Sequence, residues 1–65
     1  MIEEGNKFVL YRDFGDGYRW RLRSPTGETL EASPEGHQEK ASCEAEMRAA
    51  MADYPGAKVL DATVG

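Results

Sequence analysis

The segment Tyr18-Arg19-Trp20-Arg21-Leu22-Arg23 alternates aromatic or aliphatic side chains with arginines. Successive side chains of a β-strand point to opposite faces of its sheet, so this alternation predicts a strand with one apolar and one arginine-bearing face. The apolar face needs a layer of protein over it, whereas the arginine face can lie in solvent. The segment therefore predicts a sheet that is covered on one side.

Turn signals on both sides of this segment place further strands next to it. Residues 7–12 are rich in aromatic and β-branched side chains and are followed by Asp16-Gly17, a pair that favours a hairpin. On the other side, Ser24-Pro25-Thr26-Gly27 is typical of a second tight turn. The three strands are therefore expected to form an antiparallel meander.

The third strand of this meander is predicted over residues 28–33. Period-two alternation would place Leu30 and Ala32 on the covered side of the sheet and Thr29 and Glu31 on the outer side.

A change of hydrophobic period after residue 37 predicts a helix over residues 38–53. One face of this helix would carry the apolar residues that recur at helical spacing, namely Cys43, Met47, Ala50 and Tyr54. The helix is expected to end before Pro55-Gly56, and residues 57–62 then predict a fourth strand.

The resulting order, β(3)-α-β, is an α+β fold with an antiparallel sheet and one helix packed on one face. We treat residues 1–65 as a single domain, with residues 1–6 and 63–65 as flexible ends. A chain of this length buries only about 60% of the surface that it exposes when unfolded. One helix of about four turns leaves part of the sheet open, so we expect a homodimer in which two copies form a wider sheet under two helices.

Composition narrows the classes of function. The chain has 12 acidic and 8 basic residues, a net charge of −4 and a pI near 4.8, a balance that disfavours non-specific nucleic-acid binding. A single cysteine, Cys43, excludes a disulfide within the chain, and with one histidine it cannot supply four zinc ligands. The acidic start and the lack of a ~20-residue apolar run predict a cytoplasmic protein that does not enter a membrane.

The best candidate site is the ladder formed by Arg19, Arg21 and Arg23, with the ring of Tyr11 on the neighbouring strand. Arginines and an aromatic ring on one sheet face are suited to an anion or a nucleic acid. The alternative is a solvated face whose arginines pair across strands with Glu31 or other carboxylates.

Two other side chains have reactive chemistry. Cys43 shares a helical face with Met47, which favours a buried thiol without catalytic function, although its position near the helix start leaves a reactive thiol as the alternative. His37 is interpreted as a surface turn residue, and Asp13 and Asp16 as parts of a hairpin turn. No catalytic residue, cofactor or metal site is predicted.

These segments together resemble the YegP-like domains, a family of small bacterial and archaeal proteins. The resemblance extends from Lys7 to Asp61 and depends on a series of motifs, Phe8-x-Leu10-Tyr11, Tyr18-Arg19-Trp20-Arg21-Leu22, Gly27-Glu28, Ala32-Ser33, Glu35-Gly36, Lys40-Ala41-x-Cys43 and Val59-x-Asp61. Two positions depart from the family pattern: Pro34 stands where a small or polar residue is common, and His37 where an aromatic residue is common.

The resemblance implies a β(3)-α-β unit that occurs as a tandem pair or as a homodimer, with the two units sharing one sheet and exchanging their last strands. Because this chain holds one unit, the resemblance implies a homodimer in which residues 57–62 pair with the partner's strands. It implies no reaction, cofactor or catalytic residue.

Three functions follow from these patterns. The first is a non-enzymatic homodimeric domain that binds a partner through the arginine-bearing face or the dimer groove. The second is a nucleic-acid-associated protein that uses the ladder of Arg19, Arg21 and Arg23. The third is a small enzyme or redox-responsive protein that uses Cys43 or His37.

Overall fold

The computed structural model describes residues 5–63, which form four strands and one helix. The strands are β1 (Lys7–Asp13), β2 (Gly17–Arg23), β3 (Thr29–Ala32) and β4 (Lys58–Asp61), and the helix α1 spans Lys40–Met51. The α+β class and the order β(3)-α-β are confirmed. Residues 1–4 and 64–65, which belong to the predicted flexible ends, lie outside the described residues.

A tight turn joins β1 to β2. The carboxylate of Asp13 accepts a hydrogen bond of 2.8 Å from the amide of Gly15, and its carbonyl accepts one of 3.2 Å from the amide of Asp16. Gly17 has a φ of +88°, and a Cβ at this position would lie 2.4 Å from the carbonyl oxygen of His37. Both the backbone angle and the lack of space require glycine here, so the hairpin can pack against the segment that leads into the helix.

The sheet has the order β3-β2-β1-β4. β1, β2 and β3 are antiparallel neighbours, but β4 pairs with β1 in parallel, so the sheet is mixed rather than wholly antiparallel. The helix is the reason for this difference. It carries the chain back across the sheet from β3 at one edge to β4 at the opposite edge, and β4 therefore runs in the same direction as β1.

The register of β3 differs from the predicted one. Glu31 pairs with Leu22 and accepts a hydrogen bond from the hydroxyl of Tyr54, so it lies on the helix side of the sheet. The prediction that Leu30 and Ala32 lie inside is wrong, since both are exposed and Leu30 has 42% of its surface in solvent. The physical reason is a register shift after Leu22, because a shift of one residue moves side chains to the opposite face.

The core lies between α1 and the two central strands. Its buried apolar members are Phe8, Leu10, Trp20, Leu22, Cys43 and Met47. Burial of each large side chain contributes roughly 1.5–3 kcal/mol to the free energy of unfolding. The predicted apolar faces of β2 and α1 are therefore confirmed, and Ala50 and Tyr54 pack at the edge of the same cluster.

The helix is shorter than the predicted one by two residues at each end. Its N-cap is Glu39, whose side chain makes no capping hydrogen bond. After Met51 the chain continues as turns, in which the amides of Asp53 and Tyr54 bond to the carbonyls of Ala50 and Met51. Within residues 5–63, no helix is long and apolar enough to cross a membrane.

Candidate functional site

The side of the sheet opposite α1 is called here the outer face. Strand alternation and register place on it Lys7, Val9, Tyr11 and Asp13 of β1, Arg19, Arg21 and Arg23 of β2, Thr29 and Ala32 of β3, and Lys58 and Leu60 of β4. No second layer of helix or sheet covers this face in the part of the chain that the structure describes.

Positive charge is concentrated on the outer face. It carries five of the eight Lys and Arg residues of the chain, namely Lys7, Arg19, Arg21, Arg23 and Lys58. By the same alternation the carboxylate of Asp13, at the end of β1, also lies on this face, and Asp16 lies in the adjoining turn. A chain with a net charge of −4 therefore has one distinctly basic surface.

Arg19 is held at the turn end of this face. One terminal nitrogen of its guanidinium forms an ion pair with Asp16, and the other donates a hydrogen bond of 3.3 Å to the carbonyl of Ser33. These bonds join the β1–β2 turn to the end of β3. Arg19 is therefore fixed in position, and part of its charge is balanced within the chain.

Arg21 and Tyr11 form a stacked pair near the middle of the outer face. The guanidinium carbon of Arg21 lies 4.9 Å from the centroid of the Tyr11 ring, a cation–π distance. The Nε atoms of Arg21 and Arg23 are buried and have no hydrogen-bond partner within residues 5–63. Neighbouring side chains thus cover the inner part of each guanidinium, and a partner would meet the terminal nitrogens.

The structure brings the four predicted site residues together. Arg19, Arg21, Arg23 and Tyr11 all lie on the outer face, as the alternation of β1 and β2 predicts. The predicted partner Glu31 does not lie there, because the register of β3 turns it to the helix side, and Asp16 pairs with Arg19 instead.

Sequence reasoning missed two lysines of this surface. Lys7 of β1 and Lys58 of β4 are neighbours in the parallel pairing, and both are exposed. Each lysine precedes an apolar residue that faces the helix, and this alternation is visible in the sequence. That the two lysines are neighbours, however, depends on how β4 pairs with β1. The parallel pairing places their two charges next to each other on the outer face.

Phe14 projects from the β1–β2 turn at the same end of the sheet as Arg19. Its side chain is 98% exposed, which is unusual for a phenylalanine. This turn therefore carries a solvent-exposed aromatic ring, in addition to the part-exposed ring of Tyr11 on β1.

A polar cluster on the other side of the sheet involves His37, Glu46 and Trp20. The carboxylate of Glu46 accepts a hydrogen bond of 2.9 Å from the indole N–H of Trp20 and lies 3.1 Å from Nε2 of His37. The backbone of His37 also pairs with Tyr18. The interpretation of His37 as a surface turn residue is wrong, since its side chain is only 20% exposed and is bonded to the helix.

This cluster changes the ionisation of Glu46. The hydrogen bond from His37 is the largest cause that lowers the pKa of the Glu46 carboxyl, and the bond from Trp20 adds to it. The group therefore stays ionised as an acceptor for both donors. It links the β2 core and the segment after β3 to α1.

Cys43 does not have the features of a nucleophile. It has no exposed surface, and burial raises the pKa of its thiol, with the nearby charges of Glu46 and Glu44 acting in the same direction. The thiolate is the reactive form of cysteine, so these surroundings disfavour reaction.

An apolar groove runs between α1 and β4. It has a volume of about 350 Å³ and is lined by Glu44, Met47, Arg48, Met51 and Val59. Val59 and Leu60 of β4 are each about half exposed, at 47% and 48%. The β4 edge of the sheet and the adjoining helix face therefore present apolar surface to solvent.

Comparison with known proteins adds nothing to this geometry: no family, curated protein or solved structure matches the chain.

Proposed function

We propose that this chain is a non-enzymatic homodimeric binding domain whose outer face holds an anionic partner. The observation that carries this proposal is the concentration of five of the eight Lys and Arg residues on the outer face. Like charges on one surface repel one another. A negatively charged partner would remove this repulsion and so gain affinity.

A binding role is also supported by the state of the two reactive side chains. Cys43 is buried with a raised pKa, and the imidazole of His37 is bonded to Glu46. The thiol of Cys43 is therefore not presented to a substrate as a nucleophile, and catalysis by Cys43 has no support in this geometry.

We further propose that the chain is a YegP-like domain, on the basis of how its motif residues are used. The Arg-Trp-Arg-Leu segment supplies both core residues and the arginine face. The helix motif contributes Lys40, which pairs with Asp61 from the closing motif at 2.6 Å. Widely separated motifs thus meet in one fold.

The homodimer is proposed to form through β4 and the groove beside it. β4 is an edge strand, and an edge strand offers unpaired backbone groups to another chain. Two copies related by a twofold axis at this edge would cover Val59 and Met51, and would bring Glu44 of one helix towards Arg48 of the other. Pairing of the two β4 edges, or exchange of the two β4 strands, would leave both outer faces open.

The proposed dimer has a direct test in the solution mass. Sedimentation equilibrium over a wide dilution range should give twice 7.2 kDa. A stable monomer at micromolar concentration would rule out the dimer.

The lone buried thiol suits a reducing compartment, so we place the domain in the cytoplasm.

Anion binding is tested with heparin, a polyanion that has no bases. The wild-type chain should be retained on a heparin column at low ionic strength and elute as salt rises, because salt screens such contacts. Lys7→Gln should elute earlier, and Lys7→Gln with Lys58→Gln earlier still.

The matched control is Arg12→Gln. Arg12 lies on the same strand as Lys7, but strand alternation points its side chain to the opposite face, where its guanidinium lies 5.7 Å from the Tyr18 ring. This variant has the same charge change and should elute with wild type. No retention of wild type, or an equal loss in Arg12→Gln, would overturn the outer face as the binding surface.

A further inference from the structure

We infer that the partner of the outer face is a single-stranded nucleic acid, an inference that rests on the proposed anion-binding function. The outer face combines positive charge with flat groups that can stack on bases. Arg21 lies over the ring of Tyr11 at 4.9 Å, and the ring of Phe14 is 98% exposed at the turn end of the same sheet. Charge alone would suit any polyanion, but the flat groups suit a strand with unpaired bases.

The spacing of the cations fits an extended phosphodiester chain. Arg19, Arg21 and Arg23 occupy alternate positions of β2, so their Cα atoms are about 6.6–6.8 Å apart. Successive phosphates of an extended strand are separated by a similar distance. Lys7 and Lys58 widen the band of charge across β1 and β4.

The planar groups are the second feature that suits a single-stranded nucleic acid. Bases of single strands stack on aromatic rings and on the planes of arginine guanidinium groups. The Arg21–Tyr11 pair presents such a plane, and Phe14 offers an exposed ring in the turn that joins β1 to β2. A duplex keeps its bases stacked within the helix, so it would leave Phe14 without a partner.

An acidic protein segment matches the charge of the outer face but not its planar groups. Carboxylates would bond to the arginines and lysines, and Phe14 would contribute little to their affinity. The effect of removing Phe14 therefore separates the two classes of partner.

The experiment measures binding by fluorescence anisotropy of labelled oligo(dT) of about 12 nucleotides, within the roughly 4–16 nucleotides that an OB-fold covers. Oligo(dT) is chosen because its bases do not pair with one another. A duplex of equal length and a Glu-rich peptide are the comparison ligands. We expect oligo(dT) to bind at least tenfold more tightly than either one at low salt.

The salt dependence of oligo(dT) binding, and the effect of substitutions on it, test the two parts of the inferred recognition separately. Each phosphate contact with a single strand contributes about −0.7 to the slope of log K against log salt concentration. Lys7→Gln with Lys58→Gln should therefore reduce this slope by about 1.4. Phe14→Ala should weaken oligo(dT) binding roughly tenfold, within the range known for base stacking. It should leave heparin retention unchanged, and its exposed position makes unfolding no concern.

Tyr11→Leu is the second stacking variant, since leucine keeps apolar cover beneath Arg21 while removing the ring. Arg12→Gln again serves as the control and should bind oligo(dT) as wild type does. Equal binding of the Glu-rich peptide or the duplex, or unchanged oligo(dT) binding in Phe14→Ala and Tyr11→Leu, would overturn the inference. Retention on heparin would in that case still support the proposed anion binding. Absence of heparin binding would contradict both the proposed anion binding and the inferred single-stranded ligand.

Discussion

Lys40, the first residue of α1, donates from Nζ to Oδ2 of Asp61, the last residue of β4, over 2.6 Å. The other oxygen of the same carboxylate accepts a hydrogen bond of 2.9 Å from the amide of Thr63. β4 is a short edge strand with half-exposed apolar side chains. This ion pair is therefore a contact that positions β4 against the start of the helix.

The first prediction concerns Asp61→Asn, which should lower the free energy of unfolding at neutral pH. The hydrogen bond from Lys40, followed by those from Thr63, lowers the pKa of Asp61 from 3.8 to about 2. A carboxyl with a depressed folded-state pKa stabilises the fold above its unfolded pKa, and this contribution is lost as pH falls through the folded pKa. The loss in free energy of unfolding caused by Asp61→Asn should therefore be largest above about pH 5 and should shrink between pH 3.8 and about 2.

The measurement is a series of urea titrations across this pH range, followed by the fluorescence of Trp20. Asp53→Asn, at an exposed position after the helix, is the control and should leave the unfolding midpoint nearly unchanged. A deficit of Asp61→Asn that stays constant down to pH 2 would contradict the role given to the ion pair.

The second prediction distinguishes exchanged β4 strands from paired edges. Lys40→Glu and Asp61→Lys each place like charges together and should each weaken the fold. In an exchanged dimer, mixing the two variants lets each β4 meet an opposite charge on the partner's helix, so stability should return in the mixture. If β4 stays with its own helix, mixing restores nothing. Thermal unfolding of the separate and mixed variants, after joint refolding, gives the answer.

The third prediction concerns Glu46→Ala, which removes the acceptor shared by His37 and Trp20. Loss of a partner for a buried donor costs about 1–3 kcal/mol, and we expect the lower end because the Glu46 side chain is 34% exposed and water can replace it. Glu39→Ala makes the same charge change at the exposed N-cap of the helix, where the side chain makes no capping hydrogen bond, so it should cost only a few tenths of a kcal/mol. Equal unfolding midpoints in urea for the two variants would show that the cluster does not contribute.

The fourth prediction is that the thiol of Cys43 reacts slowly in the folded protein. Burial removes access and raises the pKa of the thiol, so little thiolate is available at neutral pH. Reaction with a thiol-specific chromogenic disulfide should be at least tenfold slower in buffer than in concentrated urea. A native rate that equals or exceeds the unfolded rate would revive the interpretation of Cys43 as a reactive residue.

Much of the fold could be predicted because it depends on local patterns. The alternation in β2 places Trp20 and Leu22 in the core and the arginines on the outer face, and helical spacing places Cys43 and Met47 against them. These outcomes follow from the geometry of a single strand or helix. They need no knowledge of which segment lies next to which.

The incorrect predictions concern contacts between two segments of the chain. β3 is only four residues long, and the shift in its pairing with β2 turned Glu31 towards the helix and Ala32 away from it. The hydrogen bond between His37 and Glu46 joins residues that are nine positions apart, across a turn and the start of the helix. The identities of the two residues therefore do not predict it.

A covered apolar face and an arginine face can be predicted from the order of residues in β2 alone, since side-chain direction along a strand is a local property of the backbone. Three contacts arise from the folding of the whole chain: Lys58 lies beside Lys7, Glu31 lies away from the arginine face, and Asp61 pairs with Lys40. These contacts depend on strand register and on the path of the helix across the sheet. Both are set by the packing of the whole chain rather than by the pattern of any one segment.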